Sequence, residues 1–107
     1  MVKAVKAAQL ADQIRDLVAK WSAQDLLGYF FSLTQVTLTA DMQYATIWVD
    51  VLMQDQQKTV FSALTRNAGK YQRELHRTLQ RQAIPRISFK LDDGAQLKNR
   101  FDTLLKV

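Results

Sequence analysis

The 107-residue chain contains no cysteine, which excludes disulfides, thiolate metal sites and a cysteine nucleophile, and fits a reducing compartment. It has a single histidine, His76, with no second histidine or cysteine to complete a metal site, so His76 reads as a surface helix residue. Nine of the ten acidic side chains are Asp and only Glu74 is Glu, which places most negative charge at caps and turns. No segment approaches the ~18 apolar residues of a membrane span. The first stretch interleaves Lys3, Lys6, Asp12, Arg15, Asp16, Lys20 and Asp25 with apolar residues, leaving no secretory hydrophobic core. The expectation is a soluble, cytoplasmic protein that makes no use of a membrane. A phosphate loop and a GxSxG elbow are missing, and no Ser-His-Asp set stands out. Asp92 and Asp93 before Gly94 read as turn chemistry and not as a paired acid and base. The sequence thus predicts no catalytic residues, cofactor, metal or small-molecule substrate: the protein is not expected to be an enzyme.

What is present is a packable chain with excess positive charge. Hydrophobic residues make up 48%, the net charge is +5 and the pI about 9.8. The length fits one domain spanning residues 1–107, with no repeat or low-complexity linker to divide it. The charge favours an anionic partner. Its distribution says more. Arg66, Lys70, Arg73, Arg77 and Arg81 step by four, three, four and four, which puts them within an arc of roughly 80° on a helix. Leu64, Ala68, Tyr71, Leu75, Leu79 and Gln82 fall on the opposite side. A solvated helix face normally interleaves signs so that i, i+4 pairs form, yet Glu74 is the one acid between Arg66 and Arg86. Arginine dominates the stripe, and its forked guanidinium suits phosphate and base stacking. A polyanion surface, with RNA as the expected ligand, is the expected role. Gly69 interrupts the stripe, either as a tolerated helix glycine or as a kink where backbone approaches backbone.

The pattern predicts an α+β order. Val5 to Trp21 is a helix, because Leu10, Ile14, Leu17, Val18 and Trp21 form one apolar stripe. Phe30 to Leu38 and Tyr44 to Leu52 are strands joined by the short connector Thr39 to Gln43, hence an antiparallel hairpin. Asp55 is the expected N-cap of the next helix, which carries Val60, Phe61, Leu64 and Ala68 inward. After the kink the helix resumes through Tyr71, Leu75 and Leu79 until Pro85 ends it. Ile87, Phe89 and Leu91 alternate with Ser88 and Lys90 as a third strand. Leu97, Phe101, Leu104 and Leu105 predict a short C-terminal helix. The economical packing is a three-stranded sheet with helices on one face. Trp21 and Tyr71 lie on apolar stripes and belong in the core. Trp48 lies on the strand face opposite Ile47 and Val49, either beneath a helix or open as a stacking surface for bases.

The segment Leu33 to Val51 resembles the hairpin of the ribosome-binding factor A family, with its "TxVxxSPDLxxAxVYVSV" pattern. Asn67-Ala68-Gly69 with Arg73-Glu74-Leu75, followed by Ile84 to Asp93, resembles that family's "AxGxxRxxL…VPxLxFxxDxS" pattern. The resemblance runs from about Ala8 to Leu105. Asn67 stands where the family has Ala at the first kink position, Ala40 where it has Pro, and Lys3 and Lys6 stand in place of its N-terminal arginine cluster. The resemblance implies a single type II KH-like domain with an Ala-x-Gly kink in place of a phosphate-clamping loop. It further implies a monomeric, non-enzymatic assembly factor that binds the free small ribosomal subunit and its rRNA during late maturation. On this basis Asn67, Ala68 and Gly69 form the helix kink. Arg66, Lys70, Arg73, Arg77, Arg81 and Arg86 are the expected RNA contacts. The alternatives are a generic single-stranded RNA or DNA module and an adaptor whose basic face takes acidic protein partners.

Overall fold

The computed structural model describes residues 2–81 and 83–92. Helix α1 spans Val2–Asp25, strand β1 Phe31–Leu38, strand β2 Tyr44–Val51, helix α2 Gln57–Arg66, helix α3 Ala68–Leu79 and strand β3 Arg86–Leu91. The sheet order is β1-β2-β3. β1 and β2 pair antiparallel from Phe31↔Val51 to Leu38↔Ala45, as the short connector requires. β2 and β3 pair parallel, Tyr44↔Arg86 through Val49↔Leu91, because the α2–α3 crossover returns the chain to the same end of the sheet. The C-terminal helix expected around Leu97 to Leu105 lies outside the described residues, as does the Asp93-Gly94 part of the turn after β3.

One sheet face builds the core. Ala45, Ile47, Val49 and Val51 of β2 and Ile87 and Phe89 of β3 alternate inward, as period-2 patterning dictates. They meet Leu10, Ile14 and Val18 of α1, Val60, Ala63 and Leu64 of α2, and Tyr71 and Leu75 of α3. Tyr71 sits at the centre: its ring stacks on Trp21 at 6.4 Å between centroids and meets Phe89 edge-on at 6.3 Å. Tyr71 is fully buried as expected, whereas Trp21 is half-buried at the core's margin. A bulge between Leu33 and Gln35 shifts the β1 register, leaving Leu33 and Val36 on the core side.

Several boundaries differ from the sequence expectation for identifiable reasons. α1 runs to Asp25, four residues past Trp21, and the chain turns at Gly28 with φ 91°, a conformation that glycine adopts without a Cβ penalty. Asp55 is not the N-cap of α2. It lies inside a 3₁₀ turn, Gln54–Gln56, where the Met53 and Gln54 carbonyls accept from the Gln56 and Gln57 amides, so no side chain caps the helix. Of the three positions expected in the kink, the break falls at Asn67, while Ala68 and Gly69 lie in the first turn of α3. At the far end α3 stops at Leu79, well before Pro85, because Gln80 turns left-handed at φ 48°.

Candidate RNA-binding surface

The junction of α2 and α3 is one residue long. Asn67, at φ −92° and ψ 2°, belongs to neither helix. Its amide N–H donates to the Ala63 carbonyl at 3.0 Å, and its side-chain Nδ2 donates to the same oxygen at 2.9 Å. Its own carbonyl accepts from the Tyr71 N–H at 3.0 Å and so starts the next helix. The bend is thus secured by a side chain that alanine lacks, which gives the departure Asn67 a physical role. Ala68 is half-buried against the core. Gly69 is exposed, has no positive φ, and a Cβ built on it meets nothing within 4 Å. Nothing within this fold therefore requires glycine at position 69. Its helical backbone and open surroundings are compatible with either reading left open by the sequence, a tolerated helix glycine or a strip of bare backbone.

The six basic residues expected as contacts do not share one helix. Arg66 ends α2, Lys70, Arg73 and Arg77 lie on α3, Arg81 follows its left-handed terminus, and Arg86 opens β3. All six are exposed. Asn67 separates Arg66 from the helix that carries Arg73 and Arg77. Arg81 instead lines a pocket with Leu10, Asp41, Met42, Gln43, Ala83 and Ile84, beside the start of β2. That position brings it near Arg86, whose N–H donates to the Gln43 carbonyl at 2.9 Å. The positive surface consequently turns from the helix toward the sheet.

Two of the stripe's cations are paired. Arg77 meets Glu74 at 3.6 Å, with its side chain 80% exposed, a contact that water screens almost completely. Lys70 is held more firmly. Its Nζ donates to Asp25 Oδ2 at 2.8 Å, and the buried Tyr71 hydroxyl donates to the same oxygen at 2.9 Å. The Lys70 hydrogen bond, reinforced by that of Tyr71, holds the Asp25 carboxyl below the usual carboxylate range against the opposing effect of desolvation. Burial, with Asp25 beside it, pushes the Tyr71 hydroxyl far up, so it remains a donor at every ordinary pH. Lys70 is thus first a tie between the end of α1 and the start of α3.

Two positioning residues, Asp25 and Gln72, are not among the site residues that the sequence predicts. Asp25 was detectable, since it continues the Leu10–Ile14–Val18–Trp21 stripe with a carboxylate. Gln72 gives no such signal. Its side-chain Nε2 donates to the Pro85 carbonyl at 2.9 Å, and its Oε1 accepts from the Ile87 N–H at 2.9 Å. One amide thereby pins the entry of β3, and with it Arg86, to α3. Among the described residues no group of His, Cys, Asp or Glu is arranged to hold a metal ion, and no helix is long and apolar enough to cross a membrane.

Known proteins place this architecture. The family model described as Ribosome-binding factor A matches residues 3–105. A ribosome-binding factor A of Novosphingobium aromaticivorans is 26% identical over 109 residues, covering 96% of this chain and 81% of the relative. That of Clostridioides difficile is 29% identical over 105 residues, covering 94% and 82%. Among solved structures, a Thermotoga maritima protein described as a putative ribosome binding factor A superposes with a TM-score of 0.68 at 26% identity, covering 81% of this chain and 87% of that one. The crystal structure of ribosome-binding factor A from Thermus thermophilus superposes with a TM-score of 0.67 at 20% identity, covering 79% and 94%. A Thermus thermophilus model fitted into a map of a 30S complex gives 0.65 at 22% identity, covering 78% and 92%. With an α-β-β-α-α-β order, a KH-like fold shared with these structures and a match over nearly its whole length, the chain belongs to the ribosome-binding factor A family.

Proposed function

We propose that this protein binds the free small ribosomal subunit through its rRNA and assists late maturation, in the cytoplasm, as a monomer and without catalysing a reaction. The observation that carries this proposal is the exposed run of one charge sign at the α2–α3 junction, along α3 and onto β3. Arg66, Arg73, Arg77, Arg81 and Arg86 position phosphates. Lys70 adds to the local field while remaining tied to Asp25. Gly69 leaves room for the nucleic-acid backbone beside the bend. Binding energy available to one rRNA conformation and not to its competitors shifts the population toward that conformation, which is how a factor with no active site promotes maturation. The relative fitted into a 30S complex supports the choice of partner.

The test is co-sedimentation of the tagged protein through a sucrose gradient of lysate at low and moderate salt. Recovery with free small subunits, and absence from large subunits and translating ribosomes, is the expected result. The double reversal R73E/R77E should weaken small-subunit affinity and flatten its salt dependence, each lost phosphate contact removing roughly 0.7–0.9 from the log–log slope. An unchanged slope reduces the stripe to a solvated helix face. Recovery only at the top of the gradient overturns the proposal in favour of a generic nucleic-acid module or a protein adaptor, which nuclease treatment before a pull-down separates.

A further inference from the structure

The sheet has a second face, and no described helix covers it. Its β2 positions are Tyr44, Thr46, Trp48 and Asp50, and its β3 positions are Arg86, Ser88 and Lys90. The register aligns them in rungs: Tyr44 opposite Arg86, Thr46 opposite Ser88, Trp48 opposite Lys90. An aromatic ring with a cation beside it therefore occurs twice, separated by a rung of hydroxyls. The rings lie four residues apart on one strand, about 13 Å. Tyr44 is 54% exposed, Trp48 is half-buried, and both cations are exposed.

Trp48 is held in place and not merely exposed. Its indole Nε1 donates to Thr37 Oγ1 at 3.2 Å on the neighbouring strand, and Lys90 Nζ lies over one side of the ring, 5.9 Å from a centroid, so a base stacks on the other side or displaces the flexible lysine. A fixed aromatic face flanked by a cation and hydroxyls suits an unpaired base with its phosphate and ribose, because every base offers a π-face and the backbone offers the charge. Charge also sets the direction. Asp50 and Asp92 lie at the far end of the sheet, beyond Trp48, whereas at the Tyr44 end Arg81 and Arg86 outnumber Asp41, which lines the same pocket as Arg81. The cationic surface of α3 thus continues through Arg81 and Arg86 onto this face and ends at Trp48.

We infer that the sheet face left uncovered by the described helices is a second RNA contact, taking an unpaired RNA segment whose bases stack on Tyr44 and Trp48 and whose phosphates lie against Arg86 and Lys90. The inference rests on the RNA-binding function proposed above and deepens it. The helical stripe reads charge alone, while this face requires splayed bases and so selects single-stranded over duplex RNA.

A Trp21→Phe variant leaves Trp48 as the sole tryptophan and reports on the face directly. The probes are a short single-stranded oligoribonucleotide of mixed sequence and the blunt duplex made from it. The single strand is expected to quench Trp48 emission saturably and the duplex is not. Trp48→Thr in the native chain should lower single-strand affinity about tenfold, the loss of one base stack, while Trp48→Phe restores most of it. The exposed substitutions Tyr44→Thr and Lys90→Gln give the same ordering without touching a half-buried position. Trp48 emission unchanged when labelled RNA is shown by anisotropy to be saturated overturns the inference. So does equal affinity of the Trp48→Thr and native chains. Native protein that sediments with small subunits in either of those cases leaves the ribosomal function standing. Single-strand quenching by a protein that does not sediment with subunits removes the ribosomal function and leaves the face.

Discussion

Replacing Asp25 with alanine deprives two donors of one acceptor. The Tyr71 hydroxyl, on a residue with 0% exposure, loses its partner at 2.9 Å, and Lys70 loses its partner at 2.8 Å. An unsatisfied buried hydroxyl costs roughly 1–3 kcal/mol. The Asp25 side chain is 26% exposed, so water reaches this spot in part and the lower half of that range applies. Lys70, with 48% side-chain exposure, regains water and adds well under about 1 kcal/mol. The expected cost of Asp25→Ala is about 2 kcal/mol, or roughly an 8 °C fall in Tm for a domain of this size. Urea unfolding followed by circular dichroism measures it. Tyr71→Phe removes the donor and leaves Asp25 with Lys70 and water, and should cost about 1 kcal/mol. The double variant should then be less destabilised than the sum, with a coupling near 1 kcal/mol. Asp25→Ala within about 0.5 kcal/mol of the native chain, or strict additivity with Tyr71→Phe, would refute the tie between α1 and α3.

The same carboxylate has a pH signature. Its folded pKa lies below its unfolded one, so its contribution is complete above the ordinary carboxylate range and is lost as pH falls through the depressed value. The stability gap between native chain and Asp25→Ala should be flat from about pH 5 to 8 and close below about pH 4, as acid titration of Tm would show. Gly69→Ala, at a helical position with open space around its Cβ, should raise stability by about 0.5–1 kcal/mol while weakening small-subunit binding, a divergence that a purely structural glycine would not give. Gln72→Leu leaves the Pro85 carbonyl and the Ile87 N–H without their partner and should cost about 2 kcal/mol in denaturant unfolding.

The periodicities decided most of the architecture. Alternation in Tyr44–Val51 and Arg86–Leu91 fixed which strand residues face the core, because successive Cβ atoms point to opposite faces whatever packs on them. The apolar stripe through Leu10, Ile14 and Val18 fixed the inner face of α1 for the equivalent reason at 3.6 residues per turn, and the short connector after Leu38 fixed the antiparallel hairpin. Cationic positions were equally legible, since exposed charge in one sign shows in the spacing alone. The tertiary structure decided what each charge is free to do. Lys70 and Asp25 are 45 positions apart, and only the packing of α1 against α3 joins them. Among the expected kink positions the bend settled on Asn67, where the Ala63 carbonyl found a side-chain donor, a bond that no propensity scale contains. Gln72 looked like any polar helix residue until the chain beyond Pro85 came back past it and needed a partner for the Ile87 amide. That no described helix lies over the half-buried Trp48 depended on the three described helices choosing the other face, where the larger apolar surface of Ile47, Val49 and Phe89 removed more area from water.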